Sequence, residues 1–334
     1  MTDRPSLPLP APRLFALAGT EALGRDIARH MGIALGRHEE RDFEDGEHKA
    51  RVLESVCGAE LYVLHSLHGM GVGSANDRLC RMLFFIAACK DAGAARVTAV
   101  TPYLCYARKD RRTKPNDPVT SRYVAALFEA AGADRVMALD VHNEAAFENA
   151  FRCRTLALTA APLQVAAILA VTADERLCVI SPDLGGGKRA ERLREALERA
   201  AGRPVGHAFA EKYRSAGIVS GDLFAGDVRD ATCIIVDDLA STGGTLVRAA
   251  RAARENGARR VLACVTHGLF ARAAGPVLAD PAIERIMATD TIDPVPLPGG
   301  PARDKLEIVP TAALFAEAIG RLHRGESLAD LLVL

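Results

Sequence analysis

The chain has 334 residues, 49% of them hydrophobic, and its 42 Lys and Arg residues are balanced by 42 Asp and Glu residues. That length allows a sizeable core and suggests about two domains. The balance of charge argues against a protein whose main partner is nucleic acid or an anionic membrane, because both attract a net positive surface.

The composition also bears on the compartment. No apolar run approaches the roughly 18 residues of a membrane helix, and the first residues, MTDRPSLPLPAPR, carry prolines where a secretory signal has its apolar segment. The eight cysteines form no Cys-x-x-Cys pair and mostly lie in apolar runs such as ATCIIV. Buried free thiols in a reducing compartment show this pattern. We therefore expect a cytoplasmic protein, without a zinc site.

A phrase of the form Gly-Ala-x-Arg-Val occurs three times, beginning at Gly93, Gly132 and Gly257. Each follows an alanine-rich amphipathic segment, such as residues 121–131 or 246–256, and precedes a short apolar run: VTAVTPY, VMALDVH or VLACVTH. Glycine favours the left-handed position just past a helix end. Nearly continuous apolar strands are typical of sheets buried on both faces. The phrase therefore predicts a mainly parallel sheet flanked by helices.

Three further apolar runs predict strands, at residues 60–64, 178–181 and 233–236. The last two are separated by a predicted helix over residues 189–201, whose apolar residues share one face. Two successive α/β units that divide near residues 155–162 therefore account for the chain.

Turn-forming composition predicts the irregular parts of the chain. Polar stretches rich in Gly, Ser or Pro predict mobile loops at residues 111–118, 211–226 and 292–304. The last segment, residues 311–334, has the pattern of one helix followed by a short second helix.

Ligands of parallel α/β sheets bind beyond the carboxyl ends of the strands. The strongest candidate there is the run from Ile234 to Thr245, a buried strand, then Asp237 and Asp238, then a small-residue turn that opens a helix. Backbone N–H groups in such a turn favour phosphate, and the acids can hold sugar hydroxyls directly or through a divalent cation. A glycine-rich turn needs no ligand, but adjacent carboxylates at a buried strand end are costly unless something binds them.

The segment Ser181–Arg189 also lies between a strand and a helix. It lacks the glycine and hydroxyl positions of a Walker P-loop, yet it offers an acid for a metal and glycine amides for a second phosphate group. A basic loop at residues 106–112 carries five charges in seven residues, and such cations suit the phosphates of a nucleotide. His142 follows another predicted strand, where it can bind a metal or a phosphate oxygen.

Two other features carry less information. The run that begins at Gly69 fails the dinucleotide fingerprint at its third glycine, so we interpret it as a loop. His65 and His68 are three residues apart, but no third metal ligand is evident, and we interpret both as structural.

Taken together, the segments resemble one family, ribose-phosphate pyrophosphokinase, also called phosphoribosyl pyrophosphate (PRPP) synthetase. The similarity runs from about Leu14 to Leu332 and includes five motifs in a fixed order. They are DFEDGE at 42–47, TPYLCYARKDRR at 101–112, LDVHNE at 139–144, SPDLGG at 181–186 and VDDLASTGGT at 236–245. The last is similar to the PRPP-binding signature of type I phosphoribosyltransferases.

The resemblance implies an α/β fold of two tandem type I phosphoribosyltransferase-like domains, residues 13–157 and 158–310, each a mainly parallel sheet flanked by helices. Residues 311–334 would form a helical segment that packs back on the first domain. It also implies that the protein transfers the diphosphoryl group of Mg-ATP to the C1 hydroxyl of ribose 5-phosphate, giving PRPP and AMP. Family members assemble from dimers into hexamers, so a homo-oligomer is expected.

The resemblance assigns roles to particular residues. ATP would be bound by Phe43, Asp45, Glu47, Arg108, Lys109 and His142. Ribose 5-phosphate would be bound by Asp237, Asp238, Ser241, Thr242, Gly243, Gly244 and Thr245, and the pyrophosphate loop would consist of Asp183, Leu184, Gly185 and Gly186. Mg²⁺ would bind to His142 and Asp183. The catalytic cations would be Lys212 and Arg214, on the polar segment 211–226.

Three positions depart from the family pattern, which has Gln at Lys109, Arg at Tyr213 and Asp at Ser241. Two other functions therefore stay open. The first is a non-catalytic regulatory subunit of PRPP synthetase, although such a subunit has no need of the whole set of site residues. The second is a phosphoribosyltransferase that consumes PRPP, which would explain residues 236–245 but not the ATP segments.

Overall fold

The computed structural model describes residues 11–332 apart from Val72, Leu184, residues 216–217 and Pro294, and within residues 211–223 it describes the backbone alone. The chain divides into two compact units. The first combines the chain up to Leu158 with Ala312 and the residues after it, and the second is Thr159–Thr311.

The first unit contains a five-stranded sheet in the order β1-β4-β5-β6-β7, in which every pair of neighbours is parallel. A separate antiparallel hairpin, β2 with β3, stands beside it. In chain order the elements are β1 Arg13–Ala16, α1 Glu21–Met31, β2 His38–Asp42, β3 His48–Val52, β4 Glu60–Leu64, α2 Ala75–Asp91, β5 Arg96–Thr101, α3 Thr120–Ala130, β6 Arg135–Leu139, α4 Glu144–Ala150 and β7 Arg154–Leu158.

The second unit contains a seven-stranded sheet in the order β10-β9-β8-β11-β12-β13-β14, in which β10 alone is antiparallel to its neighbour. Its elements are α5 Ala161–Thr172, β8 Leu177–Ser181, α6 Gly187–Ala201, β9 Gly206–Ser215, β10 Ile218–Ala225, β11 Thr232–Ala240, α7 Gly244–Glu255, β12 Arg260–Gly268, α8 Ala274–Leu278, β13 Arg285–Thr289, α9 Pro301–Asp304 and β14 Leu306–Val309. The chain then returns to the first unit, where α10, Ala312–Arg324, packs on α1.

The central strands are buried on both faces, as their continuous apolar sequences predict. In β11 the residues from Thr232 to Val236 are all inaccessible to solvent, and β5 is buried from Val97 onward. All eight cysteines are free, and five of them are buried: Cys89, Cys105, Cys178, Cys233 and Cys264. Each sheet thus forms the middle layer of its unit, with helices on either side.

The repeated glycine phrase has the same structural role at each site. Gly93, Gly132 and Gly257 have φ of 86°, 93° and 93°, a region that L side chains rarely adopt. The N–H of each donates to the carbonyl three residues earlier, at 2.9 to 3.0 Å, and so closes the preceding helix. The strand predicted after each glycine is present, as β5, β6 and β12.

Replacing Gly132 by alanine should destabilise the protein by about 1 to 3 kcal/mol. Besides the strain of a φ of 93°, the new Cβ would lie 2.8 Å from Cγ of Lys90, whose amine is held by Asp134 at 3.1 Å. Gly202→Ala is the matched control, since Gly202 also has a positive φ of 63° but open space around it. Urea unfolding of both variants should show the larger loss for Gly132→Ala, and an equal loss would contradict the packing argument.

The irregular segments differ from the prediction at three places. The segment 292–304, predicted to be a loop, ends in the short helix α9, Pro301–Asp304. Residues 211–226 were expected to be a mobile loop, but most of them belong to the paired strands β9 and β10. In the described residues 325–332 no second helix follows α10, and Leu332 instead forms an isolated bridge to Leu158. The loop at 111–118 is present, and its Asp117 carboxylate accepts hydrogen bonds from Thr113 and Lys114. Among the described helices, none is long and apolar enough to cross a membrane.

Candidate active site

The acidic pair lies at the carboxyl end of β11, in the middle of the second unit's sheet. Asp238 is 4% exposed, and the carboxylate of Asp237 accepts a hydrogen bond from the backbone N–H of Asp238 at 2.9 Å. One guanidinium nitrogen of Arg189, in the first turn of α6, lies 3.6 Å from Oδ1 of Asp237 and 3.3 Å from Oδ1 of Asp238. A single cation therefore serves two carboxylates.

Burial and the adjacent carboxylate of Asp238 raise the pKa of Asp237 well above its ordinary value, and Arg189 opposes this effect. Two adjacent carboxylates with little access to water cannot both ionise without a large energetic cost. The arrangement is therefore held at an energetic cost, which a bound polyhydroxyl ligand or a cation would relieve. This supports a binding role for the pair over a structural one.

The turn after the acidic pair leads into α7 and leaves the N-terminus of this helix without a side-chain cap. Gly243, at the N-cap, has a φ of 80°, and no side chain caps the helix. A Cβ on Gly243 would lie 2.5 Å from Cδ2 of Leu278. Both the positive φ and this close contact therefore require glycine. The first backbone N–H groups of α7 and the exposed Thr242 and Thr245 are thus left for an anion, as a helix N-terminus favours.

The predicted pyrophosphate loop follows β8 and leads into α6. The Asp183 carboxylate accepts a hydrogen bond from Gly186 N–H at 2.9 Å, and the Ser181 hydroxyl donates to the carbonyl of Asp183 at 2.6 Å. A Cβ on Gly186 would lie 2.9 Å from the Ser181 hydroxyl oxygen, so the tight turn requires glycine. Arg248 of α7 donates to the carbonyl of Pro182 at 3.0 Å and links this loop to α7. Leu184 lies outside the described residues.

The segment DFEDGE, residues 42–47, which contains the predicted ATP contacts Phe43, Asp45 and Glu47, forms the tip of the β2–β3 hairpin in the first unit. Its backbone closes through Phe43 N–H to the carbonyl of Glu47 at 2.8 Å, and the Asp45 carboxylate accepts from Glu47 N–H at 3.0 Å. The ring of Phe43 is 41% exposed, and the guanidinium of Arg41 lies 5.2 Å from its centre. Phe43, Asp45 and Glu47 are all exposed, so the tip presents a ring and two acids to a partner.

The basic loop at residues 106–112 and the segment around His142 are in contact in the first unit. They follow the neighbouring strands β5 and β6, and the Asn143 amide donates to the Asp110 carboxylate at 2.7 Å. Arg108, Lys109 and His142 are exposed. The structure therefore brings together two segments that are about 30 residues apart, and it leaves their cations at the surface.

The predicted magnesium ligands are single groups and not a preformed cage. Among the described residues, no three His, Cys, Asp or Glu side chains lie close enough together to hold a metal ion. Magnesium usually keeps several waters and binds one or two carboxylates together with substrate phosphates. The exposed Asp183, with one carboxylate oxygen committed to Gly186, fits such a site. His142 lies in the first unit, and Asp183 lies in the second.

The predicted catalytic residues Lys212 and Arg214 have side chains outside the described part of the structure. Their backbone lies in β9, opposite Asp222 and Val219 of β10. Arg189 is a residue to which the sequence assigned no role, although it is the direct ion partner of both acids. Its position, three residues after Gly186 at the end of the pyrophosphate loop, was the signal that could have found it.

A parallel sheet whose central strand ends in paired acids, followed by an uncapped helix and flanked by a second glycine-rich turn, is the arrangement expected of the phosphoribosyltransferase-like class. A family model described as the N-terminal domain of ribose phosphate pyrophosphokinase matches residues 12–132. A second, described as the phosphoribosyl synthetase-associated domain, matches residues 222–333.

Whole proteins match as well. Ribose-phosphate pyrophosphokinase of Caldanaerobacter subterraneus is 37% identical over 96% of this chain and 97% of that protein. Ribose-phosphate pyrophosphokinase 4 of Saccharomyces cerevisiae is 36% identical over 92% and 91%. The crystal structure of phosphoribosylpyrophosphate synthetase from Mycobacterium smegmatis superposes with a TM-score of 0.84 at 31% identity, over 95% of this chain and 100% of that one. The chain therefore belongs to the ribose-phosphate pyrophosphokinase family, and it is an enzyme of that class.

Proposed function

We propose that the protein transfers the diphosphoryl group of Mg-ATP to the C1 hydroxyl of ribose 5-phosphate and releases PRPP and AMP. The observation that carries this proposal is the end of β11, where the half-buried Asp237 and the buried Asp238 precede the uncapped N-terminus of α7. A sugar phosphate carries both complementary groups, hydroxyls for the acids and a phosphate for the helix N-terminus.

The second unit would hold the sugar phosphate. Ser241, Thr242, Gly243, Gly244 and Thr245 would surround the 5-phosphate with backbone and hydroxyl donors. Asp237 and Asp238 would accept hydrogen bonds from the ribose hydroxyls, with Arg189 holding both carboxylates in place. The pyrophosphate loop, Asp183 to Gly186, would orient the transferred group through its amides.

The first unit would supply the nucleotide contacts. Arg108 and Lys109 would neutralise ATP phosphates, and Phe43, Asp45 and Glu47 of the hairpin tip would contact the nucleoside. Because members of the family that the sequence resembles assemble from dimers into hexamers, we also propose a homo-oligomer built from dimers. The exposed rings of Phe43 and Phe84, 41% and 61% accessible, support such an interface.

The chemistry would consist of positioning and charge neutralisation. The C1 oxygen of the sugar forms a bond to the β-phosphorus of ATP, the bond from that phosphorus to the α,β-bridging oxygen breaks, and the hydroxyl proton is released. Lys212 and Arg214 would stabilise the charge that develops on the transferred oxygens. Mg²⁺, held by Asp183 and His142 with the substrate phosphates, would supply further charge neutralisation.

One assay tests the proposal against its alternatives. Purified protein is incubated with Mg-ATP and ribose 5-phosphate in the cytoplasmic pH range, and AMP and PRPP are followed together. Equal amounts of both products are expected. Absence of both, where a known synthetase is active, would favour the regulatory subunit. Consumption of added PRPP with a nucleobase would favour a phosphoribosyltransferase.

Arg189→Gln should raise the KM for ribose 5-phosphate about tenfold, with a smaller effect on kcat. Arg189 opposes the rise in the pKa of Asp237, so without the guanidinium the acidic pair holds its proton more firmly and is a weaker acceptor for the sugar hydroxyls. A single pKa unit corresponds to about 1.4 kcal/mol, or tenfold in binding. The matched control is Arg199→Gln on the same helix, where the side chain is 73% exposed. An unchanged KM in steady-state kinetics would remove Arg189 from the site.

A further inference from the structure

The two units repeat one order of elements. The first runs β1, α1, hairpin β2–β3, β4, α2, β5, and the second runs β8, α6, hairpin β9–β10, β11, α7, β12. In both, the strand after the hairpin lies between the first strand and the last, and all three are parallel. The chain that enters the hairpin pairs with the first strand in both units. In the first unit Leu35, just before the hairpin, bridges to Leu14, and in the second unit β9, the first strand of the hairpin, pairs with β8. Thus β4 is the counterpart of β11.

This correspondence predicts where the first unit has room for a ligand. The counterparts of the pyrophosphate and ribose phosphate loops are the residues after β1 and after β4, and ligands bind at such strand ends. A cleft of about 840 Å³ lies there, lined by Gly19 after β1, by His65, Gly73 and Arg78 after β4, and by Glu47 of the hairpin. Its volume is within the range of small-molecule sites. We refer to it as the first-unit cleft.

The inner wall of the first-unit cleft carries polar groups without partners. His65 is inaccessible to solvent, and neither ring nitrogen has a hydrogen-bond partner among the described residues. Burial, together with Arg78, lowers the pKa of His65 to about 3, so the ring is neutral at pH 7 and keeps one N–H to donate. Buried polar atoms are normally hydrogen-bonded, and leaving one unpaired costs about 1 to 3 kcal/mol.

Arg78 of α2 is the second group at this wall. It is 6% exposed, and its guanidinium donates to the carbonyl of Ser66 at 3.3 Å, while its Nε has no partner in the part of the chain that the structure describes. It forms no ion pair with a described carboxylate, and Glu21, which attracts it from farther away, accepts a hydrogen bond from Gly19 N–H at 2.7 Å. A buried guanidinium without a carboxylate is strongly destabilising. The kind of ligand group that would pair with this guanidinium is an oxyanion.

The rest of the cleft limits what this anion can be. Arg81 is already paired with Asp42, and the N-terminus of α2 is closed by a capping box between Ser74 and Asp77. The site therefore does not copy the ribose phosphate loop, where α7 is uncapped. The carboxylates of Asp77 and Glu47 line the outer part, where they accept hydrogen bonds from hydroxyls and repel a second phosphate. This favours a ligand with one phosphate and several hydroxyls.

We propose that the first-unit cleft is a second binding site, which takes a hydroxylated phosphate monoester of the sugar phosphate class through Arg78, with His65 behind it at the inner wall. It is formed by the first unit alone, by residues that have no part in the proposed catalysis, apart from Glu47 at its outer edge. The inference goes beyond the proposed function, since a chain without diphosphoryl transfer would keep the cleft.

Calorimetric titration of the full chain with ribose 5-phosphate tests the proposal. Two binding events per chain are expected. Arg78→Leu should weaken one of them at least tenfold, and the double variant Asp237→Asn/Asp238→Asn should weaken the other. Arg29→Leu on α1, 76% exposed, is the matched control and should change neither. A parallel titration with inorganic phosphate shows whether the ester is needed, since the cleft should bind free phosphate more weakly.

The stability of the unliganded protein gives an independent readout. Because Arg78→Leu removes a buried unpaired cation, its melting temperature without ligand should rise, and ribose 5-phosphate should stabilise it less than the parent. Arg78→Lys, which keeps the charge but loses the planar fork, is the second variant and should also bind at least tenfold more weakly. One binding event in the parent, or two events unchanged in both Arg78 variants, would overturn the proposal. A parent protein that shows both binding events but forms no PRPP would overturn the proposed function and leave the second binding site standing.

Discussion

Lys212→Ala should lower the turnover of PRPP formation by about two to four orders of magnitude and leave the fold intact. Phosphoryl transfer offers a protein little to do beyond positioning and charge stabilisation, so a cation that meets the developing charge carries much of the rate. The substitution lies in β9, where the backbone pairs with β10 and does not depend on the lysine side chain. We expect kcat to fall while the KM for ribose 5-phosphate changes little, since the interaction strengthens only in the transition state.

The measurement is steady-state AMP and PRPP formation by purified variant and parent, with circular dichroism to verify folding. Lys49→Ala is the matched control, because Lys49 is an exposed lysine of the strand β3 and has no assigned role. Lys212→Arg should recover part of the rate, since it keeps a positive charge. A Lys212→Ala rate within a few fold of the parent would refute the assigned role.

The fold was predictable where local chemistry and tertiary structure agree. Gly93, Gly132 and Gly257 end helices that an amphipathic pattern marks, and the strands after them are apolar throughout. Polar hairpins were not predictable in this way. The β2 sequence, HEERD, has no buried face, and residues 211–226 contain the Gly and Ser of a loop, yet both segments form strands by pairing with a neighbour. Pairing is a tertiary effect, which propensity alone does not encode.

In the candidate site, too, the sequence predicts what local chemistry decides and misses what depends on contacts between distant residues. Asp237 and Asp238 could be placed at a strand end from the sequence, because a buried apolar run precedes them. Arg189 is about 50 residues earlier, and nothing local indicates that it meets both acids. The structural interpretation of His65 failed to anticipate its surroundings for a similar reason. Its spacing to His68 says nothing about hydrogen-bond partners, and the unpaired nitrogens become visible only in the folded unit.

Asp237→Asn should make the unliganded protein more stable at neutral pH and the enzyme ten- to a hundredfold less efficient. Burial and Asp238 raise the folded-state pKa of Asp237, so between the ordinary aspartate value and the raised one the folded protein keeps a proton that the unfolded chain has released. The stability of the parent is therefore lost as the pH rises through this window, and asparagine removes that loss. The efficiency falls because a bound sugar or cation favours the ionised form of Asp237, and asparagine cannot provide this charged acceptor, worth about 1.5 to 3 kcal/mol.

Thermal unfolding of both proteins from pH 4 to pH 9, together with kcat/KM for ribose 5-phosphate, measures these two effects. The melting temperature of Asp237→Asn should exceed that of the parent by an amount that grows with pH. Asp227→Asn is the matched control with the opposite sign, since hydrogen bonds from Arg176 and Arg229 lower the pKa of Asp227 to about 2. Its carboxylate contributes stability above the ordinary pKa that is lost as the pH falls toward 2, so this variant should gain nothing at neutral pH. A parent as stable as Asp237→Asn at pH 9 would mean that the acidic pair is not strained, and the argument that a ligand relieves it would fall.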